Sequence, residues 1–427
     1  MPRIRKRLSA VFVTAAVLLT ACSIPGLPVA KVATPTPART PTPSLPLLGQ
    51  PYTPQQLRAA YDVQPLLNHG YDGKGQTVVL IESFGAPALQ SDLNNFDAKY
   101  GLPDIQVQQL APLGTIPYNP STPDMTGWAV ETELDVEMVH SMAPGAGIVV
   151  LTSPVDETEG TIGLPQFLQL EQYAVNHHLG NIISQSFGAS EVTLADSAGQ
   201  QEIAQWTSFF QQATTQQGIT FFASSGDNGA TDYRNLAATQ LSPVATTGFP
   251  ADEPWVTAVG GTTMETNGTQ YSQQAWDHSG GGFSRFFAAP SYQKSLPSAV
   301  QAQLANRRGV PDVAALADPA TGFLIVSSYT QNPIGGTSAS APLWAGLMAI
   351  ADQMAGHPLG FINPALYQIE QSSHGSADFT DITSGNNSIN SGGVNVQGYP
   401  AVPGWDPITG LGAPNAAKLL PDLVAKG

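Results

Sequence analysis

Ser338 follows two glycines and a threonine in IGGTSASAPLWAGLMAI, residues 334–350, where an apolar run with helical spacing begins. A serine placed there reads as a nucleophile, and a nucleophilic serine needs a base to take its proton. Histidine is the usual base. The chain has histidines at 69, 140, 177, 178, 278, 357 and 374, and none lies in a catalytic context.

Carboxylates are the other candidates. WAVETELDVEMVHSMAPG carries Glu131, Glu133, Asp135 and Glu137. Glu131 and Asp135 are four apart, so they share one helix face about 5–6 Å from each other, and Glu133 points elsewhere. Asp227 follows an apolar strand in FFASSGDNGATDY, at the mouth of a sheet. A protonated carboxyl there can donate a hydrogen bond. Each cluster also has a plainer reading: a solvated acidic helix face, an Asp-Asn-Gly turn, a serine helix cap. Together they describe a serine activated without histidine. One Glu serves as general base, an Asp orients it, and a second Asp supplies the oxyanion donor. A carboxylate base works far below the pKa of histidine, so such a site suits acid.

The elements that must position these groups alternate between strand and helix. Candidate strands are 77–83, 147–152, 181–187, 220–225, 255–259 and 322–328. Amphipathic helices are expected at 88–100, 127–142, 165–177, 198–216 and 338–354. Apolar strands separated by such helices imply an α/β fold, with a mostly parallel central sheet and helices on both faces. Chemistry then gathers at the carboxyl ends of strands and at helix starts. The stretch from Asp378 to Pro414, rich in Gly, Asn and Ser, reads as an ordered loop that carries function or binds an ion.

The first residues, 1–21, read as an export signal: Arg3, Arg5, Lys6 and Arg7 precede an apolar stretch too short to span a membrane. Leu19-Thr20-Ala21-Cys22 looks like a bacterial lipobox, which would acylate Cys22, the chain's single cysteine. The exported part would then hold no disulfide. Residues 22–50 are Pro/Thr-rich and read as a tether, followed by one domain at 51–427. A net charge of −16 becomes about −20 once four signal-peptide cations are removed, which argues against nucleic acid. Few basic groups also limit the positive charge reached in acid, and with it the self-repulsion that drives acid unfolding.

With three carboxylates and a serine in this order, the chain resembles the sedolisin, or serine-carboxyl peptidase, family, whose fold is subtilisin-like. The resemblance runs over residues 52–425. The family's Glu-x-x-x-Asp motif falls on Glu131 and Asp135, its oxyanion Asp on Asp227 in SSGDNG, and its Gly-Thr-Ser-x-x-x-Pro nucleophile motif on Ser338 in GTSASAP. TVVLIESFG, FPADEPWVTAVGGT, GGGFSRFFAAPSYQ and VPDVAALADP also fit. The resemblance implies an acid-acting serine-type endopeptidase with protein or peptide substrates, and a monomer is the default expectation. It would lie outside the cell, meeting a membrane only through a lipid at Cys22, or be secreted.

It implies more in detail. Some members extend the network with a strand Glu, matched by Glu82, and a Trp, where SQSFG has Phe187. Phe has no N–H to donate, so that outer hydrogen bond is expected to be absent. One Ca²⁺ is expected in FTDITSGN and VPGWDPITGLG, held by the Asp381 and Asp406 carboxylates and the carbonyls of Ile382, Val402 and Gly404. Members are normally made with a long N-terminal prodomain. Here a signal and tether are expected in its place, with a domain that folds unaided, folds with help in trans, or works differently from other members. A Ser-His-Asp mechanism is the lesser alternative, because HGYDGKG around His69 does not resemble a His-Gly-Thr context and His140 reads as packed or solvated. A non-catalytic binding protein on the same scaffold is the other. Trp128, Phe187 and Phe283 hint at an apolar-lined cleft.

Overall fold

The computed structural model describes residues 51–427, apart from residues 269 and 332. The signal, Cys22 and the tether lie outside the described residues.

The main sheet has eight strands: β1 Thr77–Ser83, β2 Gln108–Leu110, β3 Gly147–Ser153, β4 Ile182–Gln185, β5 Thr220–Ser224, β6 Thr257–Thr266, β7 Tyr271–Ala275 and β8 Val313–Leu316. Their order is β8-β6-β5-β4-β1-β3-β2, all parallel, with β7 antiparallel to β6. Five longer helices connect and cover them: α1 Leu89–Tyr100, α2 Pro123–Met142, α3 Leu164–Asn176, α4 Ser197–Gln217 and α5 Thr337–Ala355. The expected mostly parallel sheet with helices on both faces is what forms.

Side-chain alternation along β1 assigns the two faces. Val78 and Leu80 join the core under α2 and α5, while Val79 and Ile81 join the core under α3 and α4. α2 and α5 pack directly on each other. A Cβ on Gly346 would sit 2.9 Å from Met142 Cβ and 3.1 Å from the Val139 carbonyl, so a larger residue would force the helices apart. That close approach fixes the start of α5 beside the middle of α2.

One expected strand does not form. Residues 322–328 make only isolated bridges, Phe323 with Tyr52 and with Ile334. Two backbone N–H groups there serve carboxylates instead: Val326 donates to Glu137 Oε2 at 2.9 Å and Ser328 to Asp92 Oδ2 at 2.6 Å. The edge of the sheet is taken by β8, a four-residue run within VPDVAALADP. Its two alanines give it weak strand character. Residues 378–414 are ordered, with short antiparallel pairs joining 379–380 to 413–414 and 389–391 to 394–396.

Candidate active site

The carboxyl ends of β1, β4 and β5 point at one region, and the candidate residues collect there. Glu82 is next to last in β1, Ser186 directly follows β4, and Asp227 lies three residues beyond β5. Ser338 is the second residue of α5. Serine does not cap this helix: the N-cap is Gly336, at φ 99° and ψ 161°, with no side-chain cap bond. Thr337 N–H is taken by Asp227 and Ala339 N–H by the Gly336 carbonyl, which leaves the Ser338 N–H for a ligand, and the helix dipole favours a negative one.

Asp227 is clamped to that helix start. Its Oδ1 accepts from the Thr337 backbone N–H and from Thr337 Oγ1, each at 2.8 Å. Thr337 Oγ1 in turn accepts from Gly226 N at 3.0 Å. The other oxygen, Oδ2, faces Gly336, where a Cβ would sit 2.6 Å away. Gly335 is as constrained, since a Cβ there would meet the Ala317 carbonyl at 2.1 Å. Both glycines thus permit the close approach their motif suggested. Asp227 and Ser338 line one cleft.

The acidic helix is not a solvated face. Glu131 is 7% exposed, and Glu133, Asp135 and Glu137 are buried. Asp135 Oδ2 accepts from the Ser186 hydroxyl at 2.8 Å, and that hydroxyl lies 3.3 Å from the Ser338 carbonyl oxygen. Ser186 therefore links the Glu131/Asp135 face of α2 to the Ser338 backbone. The Ser338 hydroxyl makes no hydrogen bond to another described side chain; catalytic contacts of this kind often tighten only when substrate binds.

Glu133 and Glu137 use a different face of α2, toward Asp92 and residues 326–328. Burial pushes the Glu133 carboxyl up to about 9 and raises Glu137 well above the usual range. Sequence reasoning did not find this role, nor Ser186 and Thr337, although SQSFG and GTSASAP contain them. It also missed two carboxylates in the cleft itself, Glu159 and Asp232. Asp232 stands five residues beyond Asp227 in FFASSGDNGATDY, and that proximity was the available signal.

The aromatic hint does not survive. Phe187 is fully buried and packs on Phe167 at 4.5 Å between centroids, while Phe283 packs edge-on against Tyr399 at 5.2 Å. Trp128 packs on Phe167 and donates to Asp156. None of them lines the cleft beside Ser338, and among the described residues no histidine does. His140 is buried against Asp97 at 3.0 Å, and exposed His69 contacts the Pro65 carbonyl.

The proposed metal ligands converge on one loop. Asp381 accepts from Gly404 N at 3.1 and 3.2 Å, and buried Asp406 accepts from Val402 N at 3.2 Å. Ile382 is buried with Ile408 and Ala401. Burial pushes the Asp406 carboxyl up to about 7, a cost that an adjacent divalent cation would remove. Among the described residues no three His, Cys, Asp or Glu side chains cluster as metal ligands. Carbonyls would have to complete the shell, as a hard cation permits, and the donor set fits Ca²⁺.

The sequence profile of the subtilase family matches residues 124–365. Kumamolisin from Bacillus sp. (strain MN-32) is 36% identical over 384 residues, covering 87% of this chain and 64% of kumamolisin. Tripeptidyl-peptidase 1 from Homo sapiens is 34% identical over 317 residues, covering 69% of this chain and 52% of that protein. The chain thus spans less than two thirds of the length of these curated relatives. Among solved structures, the Pseudomonas sedolisin (serine-carboxyl proteinase) complexed with two molecules of pseudo-iodotyrostatin aligns with a TM-score of 0.71 at 27% identity, covering 88% of this chain and 99% of that one.

Proposed function

The chain belongs to the subtilase family, in its sedolisin or serine-carboxyl peptidase branch, and from that we propose that it is an acid-acting serine endopeptidase. The observation that carries the reading is the Asp227 carboxyl bonded to Thr337 beside Ser338, in a cleft that no histidine lines among the described residues.

In this mechanism Ser338 Oγ attacks the substrate carbonyl carbon and its proton passes to Glu131. Asp135, held by Ser186, orients Glu131. The carbonyl oxygen becomes an oxyanion beside the Ser338 N–H at the start of α5, where Asp227 Oδ2 donates a hydrogen bond to it. Collapse breaks the C–N bond, and Glu131 returns the proton to the leaving amine. Water, deprotonated by Glu131, then attacks the acyl-enzyme by the same route and releases Ser338. A histidine would be protonated in acid and could not take the first proton.

One Ca²⁺ bound by Asp381 and Asp406, with carbonyls of Ile382, Val402 and Gly404, would tie the C-terminal loop to the core. We place the protein outside the cell, anchored through Cys22 or secreted, and read it as a monomer. Among the described residues no helix is long and apolar enough to cross a membrane.

The test is the pH–rate profile of the full chain on a denatured protein, from about pH 2 to 8, with Ser338→Ala alongside. An acid optimum lost in the variant supports the mechanism. Folded protein with no cleavage at any pH would favour a binding protein on this scaffold, and a neutral optimum would reopen the search for a histidine. Internal cleavage of peptides blocked at the amino terminus separates an endopeptidase from a tripeptidyl-peptidase, which requires a free one.

A further inference from the structure

Phe283 does not reach the Ser338 cleft, yet it lines a second pocket. It lies on the strand Gly282–Ala288, which pairs antiparallel with Arg307–Val310. Tyr399, Pro400, Val402 and Pro407 of the C-terminal loop form the other walls, and Gln303 completes the lining. The space is about 580 Å³ counted to its open mouth, within the range of ligand pockets. It lies near the catalytic groups. Gly280 packs so closely on the Asp227 segment that a Cβ there would meet the Ser225 carbonyl at 2.1 Å. Phe283 is three residues further on, at most about 10 Å of chain away.

The walls are apolar, but the surroundings are cationic. The Arg307 guanidinium lies over the Phe283 ring, 5.0 Å from its centroid. Burial raises the Tyr399 hydroxyl above its usual range, and the charges of Arg307 and then Arg285 oppose the rise, so both guanidiniums act on the other ring of the pocket. Arg285 is tied to the Ala245 carbonyl at 3.1 Å. Arg307 is exposed and forms no ion pair among the described residues. Neither the half-buried Tyr399 hydroxyl nor the Gln303 amide has a hydrogen-bond partner among them. In a chain with 32 acidic and 16 basic residues, two arginines beside a pocket that no carboxylate lines reverse the prevailing charge.

We propose that this pocket is a second peptide site, outside the catalytic cleft, which docks the carboxyl terminus of a polypeptide ending in leucine, methionine or phenylalanine. The last side chain packs among Phe283, Val402 and the two prolines, where its burial drives binding. Its α-carboxylate meets Arg307 in a charge-assisted hydrogen bond. The Tyr399 hydroxyl and the Gln303 amide serve the final peptide groups, since each can both donate and accept. A fatty acid shares the apolar body and the carboxylate but leaves those two groups without partners. On the peptidase reading above, each hydrolysis makes such a terminus on the acyl fragment, so the pocket holds product beside the cleft. The docking itself does not depend on that reading.

The test measures binding on the full chain carrying Ser338→Ala, so that no peptide is consumed, at about pH 5, where an α-carboxylate is ionised. The probe is a glycine-serine peptide labelled at its amino terminus and ending in leucine. It should bind about fivefold tighter than its carboxamide, the scale of one exposed ion pair, and about tenfold tighter than the same peptide ending in glycine. Adding Arg307→Gln should remove the preference for the free carboxylate, and Arg307→Lys should keep part of it. Gln303→Glu, at an exposed position, should reverse it by setting a negative charge against the carboxylate. Lys418→Gln, an exposed cation outside the pocket, should leave it unchanged. Equal binding of acid and carboxamide would overturn the site, as would a preference unmoved by both Arg307→Gln and Gln303→Glu. Decanoate binding tighter than the unlabelled peptide would replace the polypeptide terminus with a fatty acid. Docking with no cleavage by the unaltered chain at any pH would keep this site and refute the peptidase, and cleavage without docking would do the reverse.

Discussion

Pro342 stands four residues after Ser338 in α5, and because proline has no N–H, the Ser338 carbonyl lacks its helical donor. That oxygen lies 3.3 Å from the Ser186 hydroxyl, which donates to Asp135 Oδ2 at 2.8 Å. The proline of GTSASAP thus frees the Ser338 carbonyl for a contact with Ser186, which in turn bonds Asp135 of α2. Ser186→Ala removes that link and a donor to a buried carboxylate. We expect kcat to fall about tenfold with KM little changed, and Ser186→Thr to restore most of it. A fall in melting temperature with kcat intact would make Ser186 merely structural.

Gly336→Ala tests the seat of Asp227. The new methyl would lie 2.6 Å from Asp227 Oδ2, on a backbone at φ 99° that favours glycine. Asp227 must then move off the line to the oxyanion. Activity should drop at least about a hundredfold, the scale of losing one oxyanion donor, while circular dichroism still reports a folded chain. Wild-type kcat in this variant would remove Asp227 from the oxyanion site.

Much of this arrangement is legible in the sequence because it is local. β1 is a short apolar run, α1, α3 and α4 carry an apolar stripe, and Glu131, Asp135, Asp227 and Ser338 lie in short contiguous motifs. What was not legible depends on distant partners. Glu133 and Glu137 look like solvated charges until the backbone of residues 326–328 closes over them. That same contact keeps 322–328 out of the sheet, although its composition suits a strand. β4 ends at Gln185, two residues short of its expected end, which leaves Ser186 in the loop where it can reach α2. The aromatic residues were misjudged because apolar character alone does not say whether a ring faces a cleft or the core.

Calcium removal has a direct stability readout. If Asp381 and Asp406 hold the ion, a ligand that binds only the folded state adds about 2.7 kcal/mol when present at a hundred times its dissociation constant. A chelator should therefore lower the melting temperature, added Ca²⁺ should restore it, and Asp381→Ala should abolish both responses. Unchanged calcium content and melting temperature in Asp381→Ala would refute the metal assignment.

The buried carboxyls fix how stability should vary with pH. Burial raises Glu133 to about 9 and Glu253 and Asp352 to about 7, and it raises Glu137 and Glu171 as well. In the unfolded chain these groups ionise near pH 4–4.5. Below that both states are protonated and the folded state keeps its full stability. As pH rises the unfolded chain loses these protons while the fold holds them, so stability falls from about pH 4.5 through 7 and on toward 9. The melting temperature should therefore be higher at pH 4 than at pH 7.5, by about 5 °C or more. Glu133→Gln is neutral at every pH and can still donate to Asp92. It should melt above the unaltered chain at pH 7.5 and close to it at pH 4. A chain most stable near neutrality, with Glu133→Gln destabilised equally at both pH values, would mean that Glu133 is ionised in the fold.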